Sequence, residues 1–175
     1  MPVASSTLHE SGDIDYTTYN LRDDDPTTAW VEGVDGYGEG QTLSFYSDDC
    51  EYCECPDSIS RIGIINGYAK SDATFKNNSR VKDFEIMTTE VVTEEAYRSD
   101  NGYYNVELHP GDPSCDDSYH ANKIYRFTMK DTKDEQFFSF GGKKAILNMT
   151  LTIKSVYKGA KYKDTAISEI LFYGD

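Results

Sequence analysis

The chain has 175 residues, with 31 acids against 17 bases and a formal charge of −14. That length suits one domain with its own core, and that charge repels phosphate backbones and anionic membrane surfaces, which argues against nucleic acid as a partner. No run approaches the roughly 18 apolar residues of a membrane span, and the N-terminal "MPVASSTLHE" lacks the apolar centre of a signal peptide, as would a chain trimmed of its leader.

Segments that alternate apolar and polar residues, the two-residue rhythm of a half-buried strand, recur along the chain. In order they are "QTLSFYS" from Gln41, "SRIGIINGY" from Ser60, "VKDFEIMTT" from Val81, "NKIYRFTMK" from Asn122, "EQFFSF" from Glu135, "LNMTLTIKSVY" from Leu147 and "ISEILFYG" from Ile167. In the longest, Leu147, Met149, Leu151 and Ile153 face a core while Asn148, Thr150, Thr152 and Lys154 face out. Gly, Asp, Asn and Pro clusters between the segments read as turns, and helical periodicity is almost absent. Seven or more strands predict an all-β, largely antiparallel β-sandwich over residues 1–175, with long inter-strand loops. Insertions are expected at 48–57 and 89–122, and long loops between strands are where function concentrates. The 14 tyrosines and 8 phenylalanines suit sheets, and also suit sugar-stacking surfaces.

The stretch "NLRDDDPTTAW", Asn20 to Trp30, concentrates three acids before a proline and the only tryptophan. A carboxylate-rich turn can bind Ca²⁺, which takes six to eight oxygens at roughly 2.3–2.6 Å and accepts carbonyls beside carboxylates. The spacing of Asp23, Asp25 and Thr28 lets a side-chain oxygen, a carbonyl and a hydroxyl converge, and Glu169 in "TAISEILFYG" could add a further carboxylate. The other reading is a solvated Asx turn before Pro26.

Four stretches, "ASSTL", "NLRDDDPTTAWVEGVDGYGEG", "IGIINGYAKSDATFKNNSRVKDFEI" and "SVYKGAKYKDTAISEILFYG", taken in this order, resemble the galactose-binding-like β-sandwich superfamily of discoidin and coagulation-factor C-type domains. The sequence is most similar to bacterial NADase-type glycan-binding domains and is similar to family 32 carbohydrate-binding modules. The resemblance runs from about Val3 to Gly174. It implies a jelly roll in which the Asn20 carbonyl, Asp23, Asp25, Thr28 and Glu169 hold a structural Ca²⁺ that clamps the first loop to the last strand. Where the family often has Gly after the first acid, this chain has Asp24, a residue type that tolerates the left-handed conformation.

Sugars are recognised by aromatic rings on pyranose C–H faces, with amides and charged groups bonding the hydroxyls. "NGYAKSDATFKNNSR" supplies Tyr68, Phe75, Asn77, Asn78, Lys70 and Arg80, "GVDGYGEG" supplies Tyr37 among glycines, and "GAKYKD" supplies Tyr162. In the similar modules these stretches are connecting loops, expected here to converge at one end. Trp30, directly after the turn, is expected at the core edge.

Cys50, Cys53 and Cys55 of "CEYCEC", with Cys115, predict two disulfides more readily than zinc, with Cys115 tied to the cluster and an oxidising compartment implied. His9, His109 and His120 sit in no nucleophile or metal motif. The expectation is therefore a non-catalytic glycan-binding module of a secreted, periplasmic or cell-surface protein, without membrane insertion and within a larger polypeptide. The alternative is a protein-interaction or structural domain of such a protein.

Overall fold

A computed structural model describes residues 1–9, 12, 14–46, 58–92 and 119–174. Among these lie eight strands: β1 Val3–Ala4, β2 Trp30–Val31, β3 Thr42–Tyr46, β4 Ser58–Asn66, β5 Ser79–Val92, β6 Tyr119–Thr128, β7 Gln136–Tyr157 and β8 Thr165–Tyr173. A one-turn 3-10 segment, Thr18–Leu21, precedes β2, and a short helix, α1 (Asp72–Asn77), separates β4 from β5. The four cysteines, and with them the disulfide and zinc readings, lie outside the described residues. So does His109.

The expected sandwich is present, and one strand belongs to both of its layers. The first part of β7 pairs with β4, which pairs with β8, which pairs with β2. The second part pairs with β5 and β3, and these continue to β6 and β1. The switch follows Gly141 and Gly142, both at positive φ, where a bulge turns the strand at a position that side chains with a Cβ rarely adopt. Apart from a short parallel contact between β5 and β8, the ladder pairings are antiparallel.

Alternation decides which residues fill the space between the layers. Met149, Leu151 and Ile153 are buried, and Asn148 and Lys154 are exposed. Leu147 is only half-buried, because a register shift between Thr89 and Glu90 turns Ile146 inward instead. Rings lock the layers together: Phe138 meets Phe84 at 5.0 Å and Phe127 at 5.2 Å, and Phe45 meets Phe172 at 5.3 Å. The edge-to-face pairs Phe84–Phe138 and Phe45–Phe172 each add about 0.5–1.5 kcal/mol beyond area burial. The 89–122 excursion is narrower than expected, since Thr89–Val92 and Tyr119–Asn122 are paired ladder residues.

Ladder direction places the loops. Residues 32–41, 67–78, 129–135 and 158–164 leave or enter the strands at one end, with the first loop beside them. Under them lies a small second core of Ala29, Val31, Tyr68 and Ala166, packed by Leu8 and Tyr16. Trp30, fully buried, ties this region to the N-terminal segment through Nε1, which donates to the Ser6 carbonyl at 3.2 Å.

Candidate functional site

The first loop folds around its own acids. Asp24 sits at φ 59°, the left-handed turn that lets the chain reverse between Asp23 and Asp25. The Thr28 hydroxyl reaches both Asp23 Oδ2 and the Asp25 carbonyl, each at 2.9 Å. Asp23 Oδ1 accepts from the Asp25 N–H at 3.0 Å. The Asp25 carboxylate turns away into an exposed Asx turn, accepting from the Thr27 N–H and hydroxyl, which hold its pKa below the ordinary range. Asp25 therefore offers its carbonyl to this cluster rather than its side chain. Asn20 is buried and pins the loop by donating Nδ2 to the carbonyls of Asp15 at 2.8 Å and Ala29 at 3.0 Å.

Glu169 approaches the same place from β8. A register shift between Ile65 and Asn66 lets both Ile167 and Ile170 face the core, and Glu169 faces the first loop. It is 2% exposed, and neither carboxylate oxygen has a hydrogen-bond partner. Burial first, and the Asp23 carboxylate second, push its pKa up to about 7. The nearby Asp25 N–H offsets this only partly, being directed at Asp23. A buried carboxylate without a partner is costly, and Glu169 lies beside the half-buried Asp23 carboxylate, a pair whose repulsion a cation would relieve. The donor set of two carboxylates, carbonyls and a hydroxyl is hard oxygen throughout, which fits Ca²⁺. Among the described residues no group of three or more His, Cys, Asp or Glu side chains is spaced to hold a metal, so any such ion would rely on the carbonyls and Thr28.

The other candidate residues divide into supports and surface. Phe75 is 8% exposed, beneath the Arg80 guanidinium, 5.0 Å from its ring centre. Arg80 is itself clamped, with Nε and Nη2 on the two oxygens of Asp131 at 2.9 and 2.7 Å and Nη1 on the Asn78 carbonyl. The Asn78 side chain closes α1 by donating to the Thr74 carbonyl. Tyr68 is 9% exposed, set in the second core and edge-on to Tyr16. Of the residues expected to contact a ligand, Phe75, Arg80, Asn78 and Tyr68 are engaged by packing and hydrogen bonds within the domain.

Tyr37, Lys70, Asn77 and Tyr162 remain at the surface. Tyr162 is 43% exposed, on a loop fixed to α1 because the Lys161 and Tyr162 N–H groups donate to the Asn77 carbonyl at 3.1 and 2.8 Å. Tyr37 is half-buried, and its carbonyl accepts from the Thr165 hydroxyl at 2.7 Å. Beneath this loop is fully buried Glu32, whose carboxylate accepts from the N–H groups of Val34 and Thr165. Burial raises its pKa despite those two bonds. Gly38, at φ +77°, lies directly on it, and a Cβ there would come within 2.7 Å of Glu32 Cγ. Lys158 and Lys163 place their ammoniums 4.6 and 5.9 Å from the Tyr37 ring centre, and Lys161 stands 4.8 Å from that of Tyr162.

The model of one family, the NAD glycohydrolase translocation F5/8 type C domain, matches residues 2–173. The chain belongs to that family. Solved structures similar to this F5/8 type C domain share its fold at low identity. The family 32 module of Clostridium perfringens NanJ, in complex with galactose, is 15% identical with a TM-score of 0.57, over 98% of this chain and 91% of the other. The family 32 module of Streptococcus pneumoniae EndoD is 8% identical with a TM-score of 0.58, over 99% and 96%. The C. perfringens module CpGH89CBM32-5, in complex with GalNAc-β-1,3-galactose, is 12% identical with a TM-score of 0.55, over 99% and 94%. Comparison with curated proteins finds no match. The family is that of a translocation domain, and these neighbours are binding modules rather than catalytic domains.

Reading this F5/8 type C sequence by residue type missed Glu32 and the three lysines. The lysines had a signal, since "YKGAKYKD" surrounds Tyr162 with them. Glu32 had none, because nothing in "VEG" distinguishes a buried glutamate from a solvated one.

Proposed function

We propose that this domain is a non-catalytic glycan-binding module of a larger secreted, periplasmic or surface protein. It takes sugar on the loops 32–41, 67–78 and 158–164. The observation that carries this reading is Tyr162: an aromatic ring 43% exposed, on a loop that two backbone hydrogen bonds hold still, in the same end region as Tyr37. A rigid exposed ring among polar groups is what a pyranose C–H face stacks on. Asn77 and Lys70 offer an amide and an ammonium for hydroxyls. A shallow site of this kind gives Kd values on the order of 0.1–1 mM for a single sugar, raised by multivalent display.

Asp23, Thr28, Glu169 and the carbonyls of Asn20 and Asp25 would hold Ca²⁺, which would neutralise the two carboxylates and supply no chemistry to a ligand. Asn20 fixes the backbone of the first loop, and Glu169 joins it to β8. The role is structural.

The test is a glycan array probed with the domain displayed multivalently, followed by titration of Tyr37→Ala and Tyr162→Ala. Silence at high display density would remove the reading. A protein-interaction role has one observation on its side: Met87 and Ile124, direct partners across the β5–β6 ladder, are 47% and 51% exposed. A polypeptide ligand would cover that pair and leave Tyr162 open.

A further inference from the structure

We infer that the sugar taken at this end of the sandwich is acidic, bearing a carboxylate or a sulfate; this rests on the glycan-binding reading above. The chain carries a formal charge of −14, yet the loop between β7 and β8 presents Lys158, Lys161 and Lys163, all exposed. Among the described residues these three lysines, like several elsewhere, have no carboxylate within 4.0 Å, and all three lie against the rings of Tyr37 and Tyr162. Asp35 and Glu39 flank Tyr37 in sequence and Asp164 follows Lys163, but none forms an ion pair with these ammoniums within 4.0 Å.

The ammoniums are also where a bound sugar must go. Lys158 and Lys163 both approach the Tyr37 ring, and Lys161 approaches that of Tyr162. A neutral sugar that stacks on either ring displaces an ammonium and loses its cation–π contact. A sugar carrying an anion exchanges that contact for a charge-assisted hydrogen bond and relieves the repulsion between two like charges at one ring. A compact anion on one sugar residue meets this loop alone. An extended anionic surface, such as a lipid bilayer, also meets the rest of an acidic molecule and is repelled.

The test uses the intact domain and an array of neutral oligosaccharides, each paired with its sialylated, uronate and sulfated counterparts, with phosphatidylserine vesicles alongside. At about 50 mM salt the acidic member of a pair is expected to bind about fivefold more tightly than the neutral one. The advantage should fall below about twofold at about 500 mM salt, and also in the double variant Lys158→Gln, Lys163→Gln, in which the acidic member weakens. The sialylated and sulfated arms separate the two anion types. Equal or tighter binding of neutral members overturns the inference and leaves the glycan reading standing. Binding of no member of any pair overturns both. Vesicle binding as tight as that of the acidic glycans, and lost in the lysine double variant, overturns the sugar in favour of a lipid anion.

Discussion

Glu169 on β8 and Asp23 in the first loop meet as two carboxylates at a place where Glu169 is 2% exposed and its oxygens have no hydrogen-bond partner. The pair joins the two ends of the described chain, and its charge state decides whether that join helps or hurts.

Without metal, stability should fall with rising pH. Glu169 has a folded pKa of about 7 against an ordinary 4.5. Between those values the folded state keeps a proton that the unfolded state has released, so the favourable contribution is complete below about 4.5 and is lost as pH rises through about 7. The loss is on the order of 3 kcal/mol. Urea unfolding in EDTA across that range should show it, and Glu169→Gln should flatten the profile.

Calcium should reverse that slope. With Ca²⁺ about 100-fold above its Kd the folded state gains about 3 kcal/mol, or roughly 5–10 °C in Tm for a domain of this size. Thermal scans of the wild type and of the double variant Asp23→Ala, Glu169→Ala should differ, with only the wild type responding. A wild-type midpoint indifferent to Ca²⁺ would leave the three acids as a solvated turn.

Arg80→Ala should destabilise by about 2–4 kcal/mol, because it removes a bidentate pair with Asp131, a bond to the Asn78 carbonyl and the cover over Phe75. Denaturant midpoints measure the cost. Ligand titration of the folded fraction should show unchanged affinity, which separates a support from a contact.

Tyr162→Ala should do the opposite: stability within about 0.5 kcal/mol of wild type, since the ring is exposed, and glycan affinity reduced about tenfold. Calorimetric or NMR titration beside a thermal scan of the same sample reads both.

Gly38→Ala should cost about 2–3 kcal/mol and weaken glycan binding, because positive φ and the Glu32 side chain both oppose a Cβ there. Chemical-shift changes confined to residues near Tyr37 and Thr165 would locate the disturbance.

Each of the seven segments read from alternation overlaps an observed strand, the two from Glu135 and Leu147 sharing β7, because a sheet with one buried face writes its period directly into the chain. The turn at Asp23–Thr28 was legible for a related reason, since its bonds run between near neighbours. The pairing of Arg80 with Asp131 was not legible because the partner is remote in sequence, and an arginine in a loop looks the same whether it meets a sugar or a carboxylate. The burial of Phe75 was not legible because α1 has only six residues, too few to show which side is buried. Whether a ring is surface or support depends on what the fold lays over it, as Tyr68 and Tyr162 show from opposite sides.

The shared strand β7 also bears on the order of events when the chain is made or refolds. Among the described residues before 136, only β1 with β3 and β5 with β6 have partners available, and β2 and β4 must wait for β7 or β8. Pairings this distant along the chain form slowly, so β2 and β4 stay unpaired until β7 and β8 have emerged. Most of the two-layer packing therefore closes only once β7 and β8 are in place.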